Sequence, residues 1–293
     1  AKRLQRRSES AESETAMNSV LAAIRLFRPV NLLLGALAVA VSAALVDALD
    51  QVVLLIKGIL VVVSLIAAAN AFNDYHDLEA DRINQTNRPL PKGDLSPKTA
   101  LILSILLFLM GAGISFTMNT ESFIIAAVVA LPLMVVYSLW LKGSVLIGNI
   151  IVAAIIGLAF LFVGALFSEL NRMITPSLLA FGFTVVREFI KDMADAEGDR
   201  AAGLTTFPVK FGLETSARVA IVITTLFMAL LAVPYLMNIY SEKYLVAAIL
   251  GIGIPLAYII SLLVKSPSSN NCHTASQILK LSVFLGLLAI YLG

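Results

Sequence analysis

The sequence predicts an all-α, polytopic membrane protein of nine transmembrane helices. Of its 293 residues, 59% are hydrophobic and only 14% are charged, whereas soluble domains carry about 25% charged residues. Mean hydropathy is +0.92. Apolar segments of about 20 residues, the length that crosses a bilayer, recur along the whole chain. Basic residues concentrate in alternate loops between them, as loops on one membrane face do.

Taken in order, residues 1–16 are polar and mix Arg with Glu and Ser. They are expected to be a disordered arm or a cloning remnant, and residues 17–293 a single domain. Residues 17–28 look like an amphipathic lead-in, and Pro29 opens a first span to about Val46. The second span, about Val52 to Phe72, ends in an acidic run, followed by a polar loop from Arg82 to Lys98. Spans three to five cover roughly 99–118, 122–141 and 144–167. The sixth, about 174–190, delivers a second acidic run and a loop to Gly212. Spans seven to nine cover roughly 215–238, 243–264 and 275–292. Cys272 and His273 then fall in a loop, and Pro132, Pro234 and Pro255 are expected to kink their helices.

With a cytoplasmic N-terminus, 18 of the 21 basic residues fall on the cytoplasmic side, leaving Lys57, Arg172 and Lys243 on the other. Both acidic runs then open on the cytoplasmic face, from helices that enter in the same direction. A parallel internal repeat of about four helices, with the ninth added, is the expectation. The net charge of +2 and the lack of basic runs with interleaved aromatics argue against nucleic acid. One cysteine and two distant histidines exclude a disulfide framework and a zinc site of ordinary ligands.

The acidic runs carry the chemistry. Asn73-Asp74-Tyr75-His76-Asp77-Leu78-Glu79-Ala80-Asp81-Arg82 returns 118 positions later as Lys191-Asp192-Met193-Ala194-Asp195-Ala196-Glu197-Gly198-Asp199-Arg200. On a continuous helix Asp74, Asp77 and Asp81 fall within roughly 60° of one another, with Glu79 off that face. Three carboxylates in a stripe repel unless something positive lies against them. Two facing stripes would make an oxygen-ligand site for a hard divalent cation. Such a metal-bound site attracts a phosphorylated substrate, and Arg82, Arg88, Lys142, Lys191 and Arg200 are candidate clamps for remaining phosphate oxygens. An apolar bundle below would accept a hydrocarbon tail, so a lipid diphosphate fits the pattern. A membrane cation transporter also places acids within helices, although inverted repeats with midplane acids are more usual there.

Asn73-Asp74-x-x-Asp77-x-x-x-Asp81 is similar to the first aspartate-rich motif of the UbiA-type intramembrane prenyltransferases. Arg187-Glu188-x-x-Lys191-Asp192-x-x-Asp195-x-x-x-Asp199 resembles their second. Arg28-Pro29-x-Asn31, Asn87-Arg88-Pro89 and Tyr137-Ser138 with Lys142 extend the likeness over about residues 20–293. The resemblance implies nine helices around a central cavity under a cytoplasmic cap in the cell membrane. It implies two Mg²⁺ ions, a polyprenyl diphosphate donor and a lipophilic acceptor. Carried onto this chain, Asn70, Asp74, Asp195 and Asp199 match positions that hold the ions, directly or through the diphosphate. Asp77, Asp81 and Asp192 match supporting acids of the metal site, and Arg88, Lys142 and Lys191 match diphosphate-side cations. Tyr137 matches a position beside the allylic carbon, with Asp74, Asp195 and Asp199 as its catalytic companions. Arg28, Asn31, Arg82 and Ser138 complete the expected substrate contacts.

The wording around the second motif and Phe160-Leu161-Phe162-Val163-Gly164 looks most like the archaeal ether-lipid branch. That branch joins geranylgeranyl diphosphate to geranylgeranylglyceryl phosphate. Its acceptor carries a phosphate of its own, for which Arg25 and Arg28 are candidate cations. Prenylation of an aromatic acceptor such as 4-hydroxybenzoate or a naphthoate stands as the alternative.

Overall fold

The computed structural model describes residues 19–293. The arm 1–16 and the first two residues of the lead-in lie outside the described residues. Among the described residues there is no strand, and the elements are α1 (Ser19–Phe27), α2 (Pro29–Leu45), α3 (Val52–His76), α4 (Leu78–Asn84), α5 (Pro97–Phe116) and α6 (Thr120–Leu141). They continue as α7 (Ile147–Leu166), α8 (Ile174–Ala201), α9 (Leu213–Leu236), α10 (Glu242–Lys265) and α11 (Ser269–Tyr291). Among the described residues, eight helices are long and apolar enough to cross a membrane, and α1 with α2, bent by 50°, adds a ninth if the pair is one span. The bend follows from Arg28-Pro29. A residue before proline is pushed out of the α region, and Arg28 sits left-handed at φ 57° and ψ 76°. Pro29 then starts α2, where its missing N–H costs nothing.

Two apolar clusters carry the bundle. One gathers Phe183, Val186, Phe227, Leu256 and Leu279 from α8 to α11. The other joins Val39, Val61, Leu65, Phe162 and Leu166 from α2, α3 and α7. Helices α7 and α8 approach closely because position 157 is glycine; a Cβ there would lie 3.2 Å from the Ser177 carbonyl oxygen. On the outer surface Leu106, Leu109 and Leu226 are more than half exposed, as befits a lipid-facing bundle.

Several boundaries differ from the sequence reading. The second span was expected to end at Phe72 and the sixth at 190, yet α3 runs to His76 and α8 to Ala201. The acidic runs therefore ride on helical extensions of the apolar spans. The first run is not one helix. Asp77 takes φ −86° and ψ 1° between α3 and α4, whereas α8 carries the whole second run unbroken. Cys272 and His273 do not lie in a loop. Ser268 caps α11 by accepting from the Asn271 amide at 3.3 Å, which starts the helix six residues earlier than its apolar pattern does. Cys272 is buried in it and His273 exposed.

The prolines act mainly by widening helices. π-Helical turns at Ile124–Ala130 and Ile249–Gly253 precede Pro132 and Pro255. A wider turn accommodates the missing donor and the ring clash. Pro234 lies in the first turn after a break at Ala232.

The loops after both acidic runs close alike. Gly93 (φ 81°) and Gly203 (φ 73°) sit in the left-handed region, while the Asp94 amide bonds the Pro89 carbonyl at 2.9 Å and the Leu204 amide the Asp199 carbonyl at 2.9 Å. This is the glycine-ended helix stop. The second loop then ties itself to the loop after α6, with the Thr205 amide donating to the Gly143 carbonyl at 3.2 Å, next to Lys142.

Candidate active site

Each acid of the first run has a cation against it. Asp74 is 2% exposed; its Oδ1 accepts from Arg28 Nη2 at 2.5 Å and from Arg88 Nη1 at 3.3 Å. Arg88 Nη1 also donates to Asp81 Oδ2 at 2.5 Å. Asp77 pairs with Lys142 from the far end of α6. Three acids thus meet three cations from three other segments, which removes the repulsion a bare stripe would suffer. Burial pushes the Asp81 carboxyl above the usual carboxylate range, against the pull of Arg88. Asn70 donates to the Phe27 carbonyl at 3.0 Å, holding the α1–α2 bend, and hence Arg28, against α3. Asn73 accepts from Ser138.

The second run is held differently. Asp192 Oδ2 accepts from Asn149 Nδ2 at 2.8 Å, and Asp199 Oδ2 from the Thr206 hydroxyl at 3.1 Å. Asp195 is half-buried and makes no hydrogen bond or ion pair among the described residues. One turn further into the membrane, Arg187 and Lys191 both donate to the buried Glu188, at 2.7 and 3.0 Å.

The two runs share one end of the bundle. Helix α8 touches α4, and Lys142, already on Asp77, lies within Coulombic reach of Asp199. They do not form a closed cage, because no three His, Cys, Asp or Glu side chains among the described residues converge on one point. The first-run acids are instead paired with cations from other segments, and Arg88 Nη1 bridges Asp74 and Asp81. The donor set still suits a hard divalent ion, being all oxygen. Asp195 and Asp199 also carry no cation of their own among the described residues, which leaves them able to take one.

Below this end lies a cavity of about 400 Å³. Arg28, Asn31, Asn70, Asn73, Tyr137, Arg187, Glu188 and Lys191 line its polar side, with Lys280 from α11, and Leu34, Ile66, Val152, Phe160, Phe183 and Phe227 its apolar walls. Tyr137 begins a π-helical stretch, Tyr137–Leu141, a distortion frequent at functional sites. The shape suits an amphiphile: charged above, greasy beneath.

Most predicted site residues meet at this end, including Arg28, Asn31, Arg88, Tyr137, Ser138, Lys142 and Lys191. Arg82 does not join the acids. Its guanidinium is 57% exposed and pairs at 2.9 Å with Glu79, itself 82% exposed. A surface pair of this kind contributes about 0.2–1 kcal/mol, so Arg82→Ala is expected to leave turnover within about twofold, where Arg88→Ala does not. Steady-state assays of the two variants side by side check this. Arg25 is likewise exposed, and Arg28 is committed to Asp74. Sequence reading missed Asn149, Thr206 and Glu188 as site partners. Asn149 carried a usable signal, being a polar side chain in the otherwise apolar run of α7; Thr206 reaches Asp199 only through the glycine turn.

Comparison with known proteins places the chain in a family. The model of the UbiA prenyltransferase family matches residues 31–285. A digeranylgeranylglyceryl phosphate synthase of Methanopyrus kandleri is 36% identical over 269 residues, covering 91% of this chain and 96% of its own. One of Thermococcus kodakarensis is 35% identical over 271 residues, covering 92% and 96%. Among solved structures, one described as a digeranylgeranylglyceryl phosphate synthase in membranes has a TM-score of 0.76 at 28% identity, covering 94% of this chain and 98% of that one. A UbiA homologue of Archaeoglobus fulgidus bound to DMAPP and Mg²⁺ shares the fold, with a TM-score of 0.58 at 21% identity, covering 92% and 98%. Matched over most of its length by both the family model and these relatives, the chain belongs to the UbiA prenyltransferase family.

Proposed function

We propose that this prenyltransferase moves the geranylgeranyl group of geranylgeranyl diphosphate onto geranylgeranylglyceryl phosphate, forming a second ether bond. The observation that carries the reading is the charged rim of acids and cations over an apolar cavity. The relatives' common name supports the acceptor. In our reading residues 17–293 form one intramembrane domain whose site opens on the cytoplasmic face. Basic residues gather at that end, while Lys57 and Arg172 lie toward the other.

Asp74, Asp195 and Asp199 would hold Mg²⁺, with Asn70, Asp77, Asp81 and Asp192 in support. When bound, the metal supplies positive charge to the diphosphate oxygens; two ions are the number we propose. Arg88, Lys142 and Lys191 take the remaining diphosphate charge, and Arg28 steadies Asp74. As the C1–O bond breaks, the diphosphate leaves with the electron pair and positive charge spreads over the allylic carbons. The Tyr137 ring lies beside them, its face suited to a cation. The glycerol hydroxyl oxygen then forms the new C–O bond and releases its proton. The greasy wall of Leu34, Phe160 and Phe183 excludes water, which would otherwise take the acceptor's place.

Feeding labelled geranylgeranyl diphosphate to purified protein with each acceptor in turn tests the reading. The expected result is diether product from the glyceryl phosphate lipid, lost when EDTA removes Mg²⁺. Product from 4-hydroxybenzoate and none from the lipid acceptor would overturn it.

A further inference from the structure

The charges at the rim are unequally matched. Toward the first run, Arg28, Arg88 and Lys142 face Asp74, Asp77 and Asp81, three cations for three acids. In the cavity lining, Arg187 and Lys191 both pair with Glu188, and Asp192 lies within Coulombic reach of Lys191. Glu188 is 6% exposed, while the Arg187 and Lys191 side chains keep 31% and 43%. One Glu188 oxygen holds each cation, so the acid acts as a brace that leaves their remaining N–H groups free to turn toward the cavity. A guanidinium that faces an apolar cavity with unmet donors is costly to keep there unless an anion meets them.

Resting on the acceptor reading above, we infer that Arg187 takes the phosphate of the acceptor, with Glu188 as its positioning residue and Lys191 shared with the donor side. A phosphomonoester carries about −1.5 to −2 charge near neutral pH, enough to engage both cations. A guanidinium can meet it with two parallel N–H bonds. Asp195 lies two helical turns along α8 from Arg187, so an anion on Arg187 is set about two turns along the helix from Asp195. That separates the acceptor phosphate from the donor diphosphate along the cavity wall, with both chains directed into the apolar depth.

The test uses full-length protein reconstituted in lipid. KM is measured for geranylgeranyl diphosphate, for the phosphorylated acceptor and for its dephosphorylated alcohol. For Arg187→Gln, KM for the phosphorylated acceptor is expected to rise about 10–100-fold, the loss of a charge-assisted hydrogen bond. KM for the alcohol and for the diphosphate should hold, so discrimination between the acceptors collapses. Arg187→Lys, which keeps the charge but not the fork, should fall between. A rise in donor KM with the acceptor's unchanged, or equal weakening for both acceptors, would overturn the assignment. Wild-type protein that prenylates neither glyceryl acceptor would overturn the functional reading itself, which is a separate outcome.

Discussion

Replacing Asp74 with Asn is expected to lower kcat by about 10²–10³-fold, the scale seen when one preorganised electrostatic group is lost. Its cost does not stop at the chemistry. The Asp74 carboxylate is the shared acceptor for Arg28 and Arg88, and through Arg28 it holds the α1–α2 bend. Removing the charge leaves Arg28 without its ion-pair partner and Arg88 with Asp81 alone. Both are about a third exposed and can rehydrate, so the stability loss is expected at about 1–3 kcal/mol. Turnover assays and thermal unfolding in detergent should therefore both report a deficit.

Asp195→Ala is expected to cost about as much activity with no loss of stability. Asp195 has no partner to lose among the described residues, and alanine favours the interior of α8. An intact melting temperature with turnover down about 10²–10³-fold is the expected pair of results. Unchanged turnover would mean the second run serves only as a solvated helix end. Asp74 and Asp195 thus separate two roles that the matched spelling of the motifs conceals. In the proposed reading one is both ligand and structural hub, and the other a ligand without a structural partner among the described residues.

Much of this is legible in the sequence. Apolar length and charge placement give the spans, because a bilayer admits little else. The two aspartate runs give the site, because carboxylates this dense require cations or a metal. What was not legible depends on pairing across the bundle. The break at Asp77 has no glycine or proline to announce it. Arg82 and Arg88 read alike in sequence, and only the fold sends one outward to Glu79 and the other inward to Asp74 and Asp81. The helical start at Ser268 hides beneath a polar stretch, since a cap can extend a helix where hydrophobicity has already run out. Glu188 belongs to the second motif, yet its place between Arg187 and Lys191 shows only where the helix meets the cavity.

The most direct test of the acidic end as a metal-dependent diphosphate site is calorimetric. A non-cleavable thiolo analogue of geranylgeranyl diphosphate is titrated into wild-type, Asp74→Asn and Asp195→Ala protein, with Mg²⁺ and with EDTA. The account predicts tight binding to wild type only with Mg²⁺, and at least about tenfold weaker binding to either variant, a difference of about 1.4 kcal/mol. Binding to wild type that is equally tight in EDTA, or unaffected by either substitution, would contradict it.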